Sequence, residues 1–263
     1  DCAFVMWLFA KLICVLFIAS VRSKHVPTDE VIKTGAFTDL HDSYLNLGGK
    51  SIAALQPGGF KNCRFQHLTL SGNKLKEISK NVFENVSLES LHLYDNVINK
   101  IEPGAFASLQ GLAALELSNN KLEEIDPQVF DIPEMRNLVM EFNTISILRP
   151  GDLKNLPNLR TLDLLGNKVK EIPGEVFKNS KIVLLKLNYN EISKIAPHAF
   201  DDMPELSILH IDHNKLTQWD NNWLHNAPKL AYVLASLTVL KKFLRKLSKI
   251  ILVSTVLIYK ETR

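Results

Sequence analysis

The sequence predicts an α/β solenoid: a horseshoe of stacked coils with a parallel β-sheet along its concave side and an irregular or short-helical convex side. Three observations predict it. The pattern L-x-x-L-x-L-x-x-N-x-L-x-x-I recurs seven times. Its asparagines, Asn73, Asn96, Asn120, Asn143, Asn167, Asn190 and Asn214, are spaced 23, 24, 23, 24, 23 and 24 residues apart. A phenylalanine follows the asparagine by ten residues in most copies: Phe83, Phe106, Phe130, Phe177 and Phe200, with Leu153 standing in once. Seven copies in phase are beyond chance, and a fixed period of this length is the signature of a repeat architecture.

Each part of the pattern has a physical role. L-x-L alternates as a strand does and puts both leucines on one face. The Phe and the aliphatic residues after it fill the other side of the same layer. One unit cannot bury its apolar face alone, whereas stacked units share a continuous core. Asparagine suits the sharp exit from the strand, because its amide satisfies turn backbone groups and tolerates unusual dihedrals. In register, the asparagines are expected to form a buried hydrogen-bond ladder. An earlier copy, SYLNLGGKSIAAL, carries Lys50 in place of Asn and keeps Phe60 at the same offset. IKTGAF (32–37) has the cadence of part of a capping unit.

Composition narrows the function classes. The chain has 263 residues, 46% hydrophobic and 22% charged, which excludes global disorder. It has 31 Lys+Arg against 28 Asp+Glu, a net charge of +3, and on that balance nucleic acid is excluded as a partner. The charge is uneven. Residues 24–228 hold 21 basic and 26 acidic residues, and residues 229–263 hold 8 and 1. With 3 Cys there is no disulfide framework and no CxxC pair for zinc. Cys63 stands at an apolar layer position; a buried free thiol and an intermolecular disulfide are both open readings.

The ends are read apart from the repeats. Residues 6–20, MWLFAKLICVLFIAS, are too short to span a bilayer and fit the core of a secretory signal peptide. Residues 1–23 are expected to be that signal, cut after Ser23, with Met6 the true start. The mature protein is then extracellular, with a half-repeat cap over 24–41, repeats over 42–234 and a basic amphipathic tail over 235–263. Leu237, Leu240, Leu244, Leu247 and Ile251 share a helical face in that tail. It could cap the solenoid, lie on an anionic membrane, pair with another helix, or derive from a misjoined frame. Asn85-Val86-Ser87 is the one glycosylation sequon, expected on the convex side.

These repeats resemble the leucine-rich repeat family, in its extracellular 24-residue form, over about residues 27–234. The resemblance implies the horseshoe and a recognition role. The PGAF-type turns are similar to those of insect leucine-rich immune proteins and of Toll- and Slit-type ectodomains. The family's Cys-rich caps are absent, which points to an incomplete chain.

Partners are expected on the concave sheet. Between the paired apolar residues, one outward column runs Asn46, Thr69, His92, Glu116, Val139, Asp163, Lys186, His210 and Leu234. The next holds Gly48, Ser71, Tyr94, Ser118, Glu141, Leu165, Asn188 and Asp212; the third holds Gly49, Gly72, Asp95, Asn119, Phe142, Gly166, Tyr189 and His213. Glu116, Glu141 and Asp163 are expected to form an acidic patch on adjacent strands that selects a basic partner. Tyr94, Phe142 and Tyr189 are expected to supply aromatic anchors. The ligand residues are thus His92, Tyr94, Asp95, Glu116, Glu141, Phe142, Asp163, Lys186, Asn188, Tyr189, His210 and Asp212. The partner is expected to be a protein or a microbial surface ligand bound outside the cell, in innate immunity. A membrane-receptor ectodomain and a structural adaptor are the alternatives. No HExxH, GxSxG or paired-Cys motif is present, so no enzyme, cofactor or metal is expected, although His210-Ile-Asp-His213 has the spacing of a metal pair.

Overall fold

The computed structural model describes residues 30–224 and 227–235. The expected signal peptide and nearly all of the basic tail lie outside those residues.

Among the described residues nine strands form one concave sheet: β1 (His41–Asn46), β2 (Arg64–Thr69), β3 (Val86–His92), β4 (Ala114–Glu116), β5 (Asn137–Val139), β6 (Thr161–Asp163), β7 (Leu184–Lys186), β8 (Ile208–His210) and β9 (Tyr232–Leu234). Each is parallel to the next, in chain order, and the register advances one repeat per strand: Leu91 faces Leu115, then Leu138, Leu162, Leu185, Leu209 and Val233. Leu109–Gln110 joins the sheet against the start of β3.

The convex side is built of turns and two-residue strands, among them a three-stranded strip of Phe37–Thr38, Phe60–Lys61 and Phe83–Glu84. Of the two expected forms it takes the irregular one: among the described residues a 3-10 turn at Asn221–Leu224 is the one helical element. A 23-residue coil that closes with short strands leaves little chain for a helix.

The core lies between these walls. Leu68, Leu91, Leu138, Leu162, Leu185 and Leu209 are fully buried from the sheet side. Phe37, Phe60, Phe83 and Phe106 stack along the convex side, with ring centroids 5.1, 5.5 and 6.3 Å apart. Phe177 and Phe200 resume the stack at 5.8 Å beyond the coil where Leu153 replaces Phe. Cys63 is a buried free thiol, and burial pushes its pKa up despite backbone hydrogen bonds that pull the other way.

The asparagines bind backbone rather than one another. Asn120 Oδ1 accepts Ile98 N–H at 2.9 Å, and its Nδ2 donates to Leu93 O and Leu117 O at 3.0 Å each. The amide therefore ties its own coil to the preceding one. The same three bonds recur at Asn96, Asn143, Asn167, Asn190 and Asn214. Asn73 has Lys50 N–H as an additional donor.

Candidate functional site: the concave sheet and its rim

Strand alternation sends every second side chain out of the sheet, so the outward residues form columns at strand spacing, about 4.8 Å. The register puts His92, Glu116, Val139, Asp163, Lys186 and His210 side by side. A further outward column, absent from the sequence reading, lies two residues earlier: Tyr44, His67, Ser90, Ala114, Asn137, Thr161, Leu184, Ile208 and Tyr232. Its signal was available as the x before the second leucine of each repeat. Leu184, Ile208 and Tyr232 make the far end of the face apolar, and Tyr232 is exposed.

The acidic residues come together, but not as an acidic surface. Lys186 Nζ lies between them, in an ion pair with Asp163 and 3.7 Å from Glu141 Oε1. Asp163 is 2% exposed and also accepts Leu165 N–H at 3.1 Å, so it belongs to the floor. Glu116 is paired with His92, Nδ1 to Oε2 at 2.9 Å. The expected selection of a basic partner by three open carboxylates is thereby corrected: Lys186 answers Asp163 and Glu141, and His92 hydrogen-bonds Glu116, within the face itself. Glu141 responds to what remains. Burial, then a hydrogen bond and repulsion from Asp163, push its pKa up to about 7, against the pull of Lys186. Burial and the neighbouring Lys186 push His210 down.

Asn188, also expected at the surface, is 6% exposed, and its Oδ1 has no donor among the described residues. Tyr94 is half-buried against His92, edge to face at 6.3 Å. Asp95 is exposed and accepts Asn119 Nδ2 at 2.8 Å. His210 and Asp212 are half-buried.

The third column forms the rim, and its backbone is uniform. Gly49, Gly72, Asp95, Asn119, Phe142, Gly166, Tyr189 and His213, each just before the ladder position, all have φ between +52° and +70°. This left-handed turn is how each of these eight coils leaves its strand. Gly, Asn and Asp adopt it readily; a bulky side chain there is an outlier. Yet Phe142 and Tyr189 occupy it, each 52% exposed. The Phe142 ring covers Gly166, and Tyr189 stacks on His213 with centroids 4.1 Å apart and 12° between planes. His213 is therefore engaged with an aromatic face rather than paired with His210, and among the described residues no three of His, Cys, Asp and Glu converge as metal ligands.

One arrangement has the outline of a catalytic relay. Ser90 Oγ is 3.4 Å from His92 Nε2, and His92 Nδ1 is 2.9 Å from Glu116. His67 Nδ1, however, already holds Ser90 Oγ at 2.6 Å from the other side. Ser90 is also mid-sheet, where N–H groups are committed to the ladder and not to an oxyanion. The network orders polar side chains on the outward face of the sheet.

On the convex side, Asn85 is exposed with φ +51°, and its Nδ2 donates to Asn62 Oδ1 at 2.9 Å. Val86 is buried as the repeat requires.

Comparison with known proteins accords with this architecture. The model for "Leucine rich repeat" matches residues 86–143, 112–169, 157–216 and 180–240, more than half of the chain. No curated protein matches the chain in sequence. A solved structure, "Crystal structure of TLR13-ssRNA13 complex", is similar with a TM-score of 0.57 and 22% identity, over 73% of this chain and 32% of that one. The chain thus spans about a third of that structure's length. The expectation that charge balance excludes nucleic acid is corrected here: a solenoid of this fold is described in complex with single-stranded RNA. Net charge summed over a whole chain does not describe what one face of it attracts.

Proposed function

We propose that this chain, which belongs to the leucine-rich repeat family, is a secreted recognition protein that holds a protein or microbial ligand on its concave face, in innate immunity. The carrying observation is the single nine-strand sheet, whose outward columns mix aromatic, aliphatic and internally paired charged groups. That is the composition of a docking surface rather than of a reaction centre. Secretion is supported by the apolar run at 12–19 and by the sequon at Asn85. The immune role is supported by the resemblance of the repeats to immune members of the family.

A second reading concerns the ligand. The similar solved structure is a complex with single-stranded RNA, which brings single-stranded nucleic acid into the set to be tested.

The test compares wild type with Val139→Glu/Leu184→Glu, which charges the sheet face, and with Lys154→Glu in an exposed convex turn. Crosslinked ligands from extracellular fluid are expected to be kept by the convex variant and lost by the concave one. The same ligands on all three proteins would end this reading.

A further inference from the structure

The rim offers a surface distinct from the sheet columns. Phe142 and Tyr189 hold a backbone conformation that suits glycine, aspartate or asparagine, and five of the eight rim positions do carry one of these three. The turn itself therefore does not call for aromatic rings. A disfavoured conformation kept in an exposed residue points to use. The rings also form a series. Phe142 lies over Gly166, where a Cβ would stand 2.5 Å from its Cδ1, and Tyr189 continues into the stack with His213. Flat aromatic groups thus run along the rim from residue 142 to residue 213.

The flank of this ledge is basic. Lys168 follows Gly166 by two residues, Lys170 by four, and Lys215 follows His213 by two. Lys168 and Lys170 are exposed, and among the described residues neither reaches a carboxylate at ion-pair distance. Two acids adjoin them: Asp212, whose Oδ2 is 3.5 Å from His213 Nε2, and Glu191. The Glu191 backbone N–H bonds Val169 O at 3.0 Å, between Lys168 and Lys170, and its carboxylate accepts a hydrogen bond from Lys215 at 2.7 Å, which with the fields of Lys170 and Lys168 lowers its pKa. Aromatic faces that accept any planar ring, beside unpaired cations that accept phosphate, are the two requirements of sequence-tolerant single-strand binding.

We propose that the Phe142–Tyr189–His213 ledge stacks the bases of a single-stranded nucleic acid while Lys168 and Lys170 hold its phosphates. This rests on the reading of the solenoid as a ligand-binding protein, but not on its sheet columns being the contact.

The test is fluorescence anisotropy of the full chain with labelled oligo-rU and oligo-dT, across a salt series, beside a duplex and a size-matched heparin fragment. Wild type is expected to bind both single strands more tightly than heparin. Phe142→Asn/Tyr189→Asn is expected to weaken binding by about tenfold or more per ring. Asn already occupies this turn at Asn119, so the variant keeps its fold, and an unchanged or higher melting temperature confirms that. Lys168→Gln/Lys170→Gln is expected to lower the slope of log K against log salt by about one per lysine. No saturable binding by wild type, equal binding by the ring variant, or equal binding of heparin overturns the proposal. Loss of oligonucleotide binding in Val139→Glu/Leu184→Glu but not in the ring variant overturns the ledge and leaves the concave-face function standing.

Discussion

The ring of Phe142 occupies the space that a side chain at residue 166 would need. A Cβ on Gly166 would lie 2.5 Å from Phe142 Cδ1 and 2.7 Å from Cε1. At Gly72, which has the same left-handed turn, the nearest atom to such a Cβ is 3.6 Å away. Gly72→Ala is expected to carry the backbone cost alone, about 1 kcal/mol. Gly166→Ala is expected to add an overpacking cost of about 1–3 kcal/mol. In a Phe142→Ala background that excess should vanish. Urea unfolding of the four proteins of the cycle measures the coupling, and additive effects would show that the ring moves away without cost.

Glu141 is expected to give the fold a pH dependence of definite sign. Its native pKa, about 7, lies above the ordinary carboxylate value of 4.5. The folded chain therefore binds more protons than the unfolded chain between those values, and this group's contribution to stability falls as pH rises through that window. Glu141→Gln should be more stable than wild type at pH 7.5 by roughly 1–3 kcal/mol, with the difference closing by pH 4.5. His210, lowered by burial, acts oppositely below its ordinary value near 6.5, because the unfolded chain takes its proton first. Thermal melts of both proteins at several pH values check the sign; a gap that widens on acidification would refute it.

Asn120→Ala removes four hydrogen bonds, the fourth to Ser118 O, and leaves Ile98 N–H, Leu93 O and Leu117 O in the buried interior without these partners. A loss of about 3 kcal/mol is expected from such orphaned groups. Because coils touch mainly their neighbours, amide exchange should quicken first around Ile98 and the 117–120 turn. Uniform acceleration along the chain would mean that the asparagine is not a local clamp.

Asn85 should carry a glycan when the chain passes through a secretory pathway. The expected observation is a mass shift that glycosidase digestion removes and Asn85→Gln abolishes, with ligand binding unchanged because the site is convex. A single unglycosylated mass on protein collected from medium would refute this.

Much of the fold was legible because a repeat states each rule many times. Seven in-phase asparagines, with leucines at fixed offsets, specify strand, turn and core layer without knowledge of any neighbour. The outward columns follow from alternation; the one with Tyr44, Leu184, Ile208 and Tyr232 is harder to see because it precedes the paired leucines instead of lying between them. The left-handed rim was also readable: Gly49, Gly72 and Gly166, with Asp95 and Asn119, stand in one phase of the pattern.

What the coils do to one another was decided by the tertiary structure. Lys186 neutralises Asp163 from a strand 23 residues away, and the desolvation that lifts Glu141 comes from the side chains around it, with Asp163, Lys186 and Glu116 acting from neighbouring coils. The direction in which Phe142 leans depends on the missing Cβ of the next coil. By itself the sequence determined the period, the asparagine positions, the recurring phenylalanines and the alternation of the strands, since these depend on local geometry and repetition. Which outward groups are spoken for, and which remain open to a ligand, emerged from contacts between coils, because charge pairing and burial are properties of several strands together.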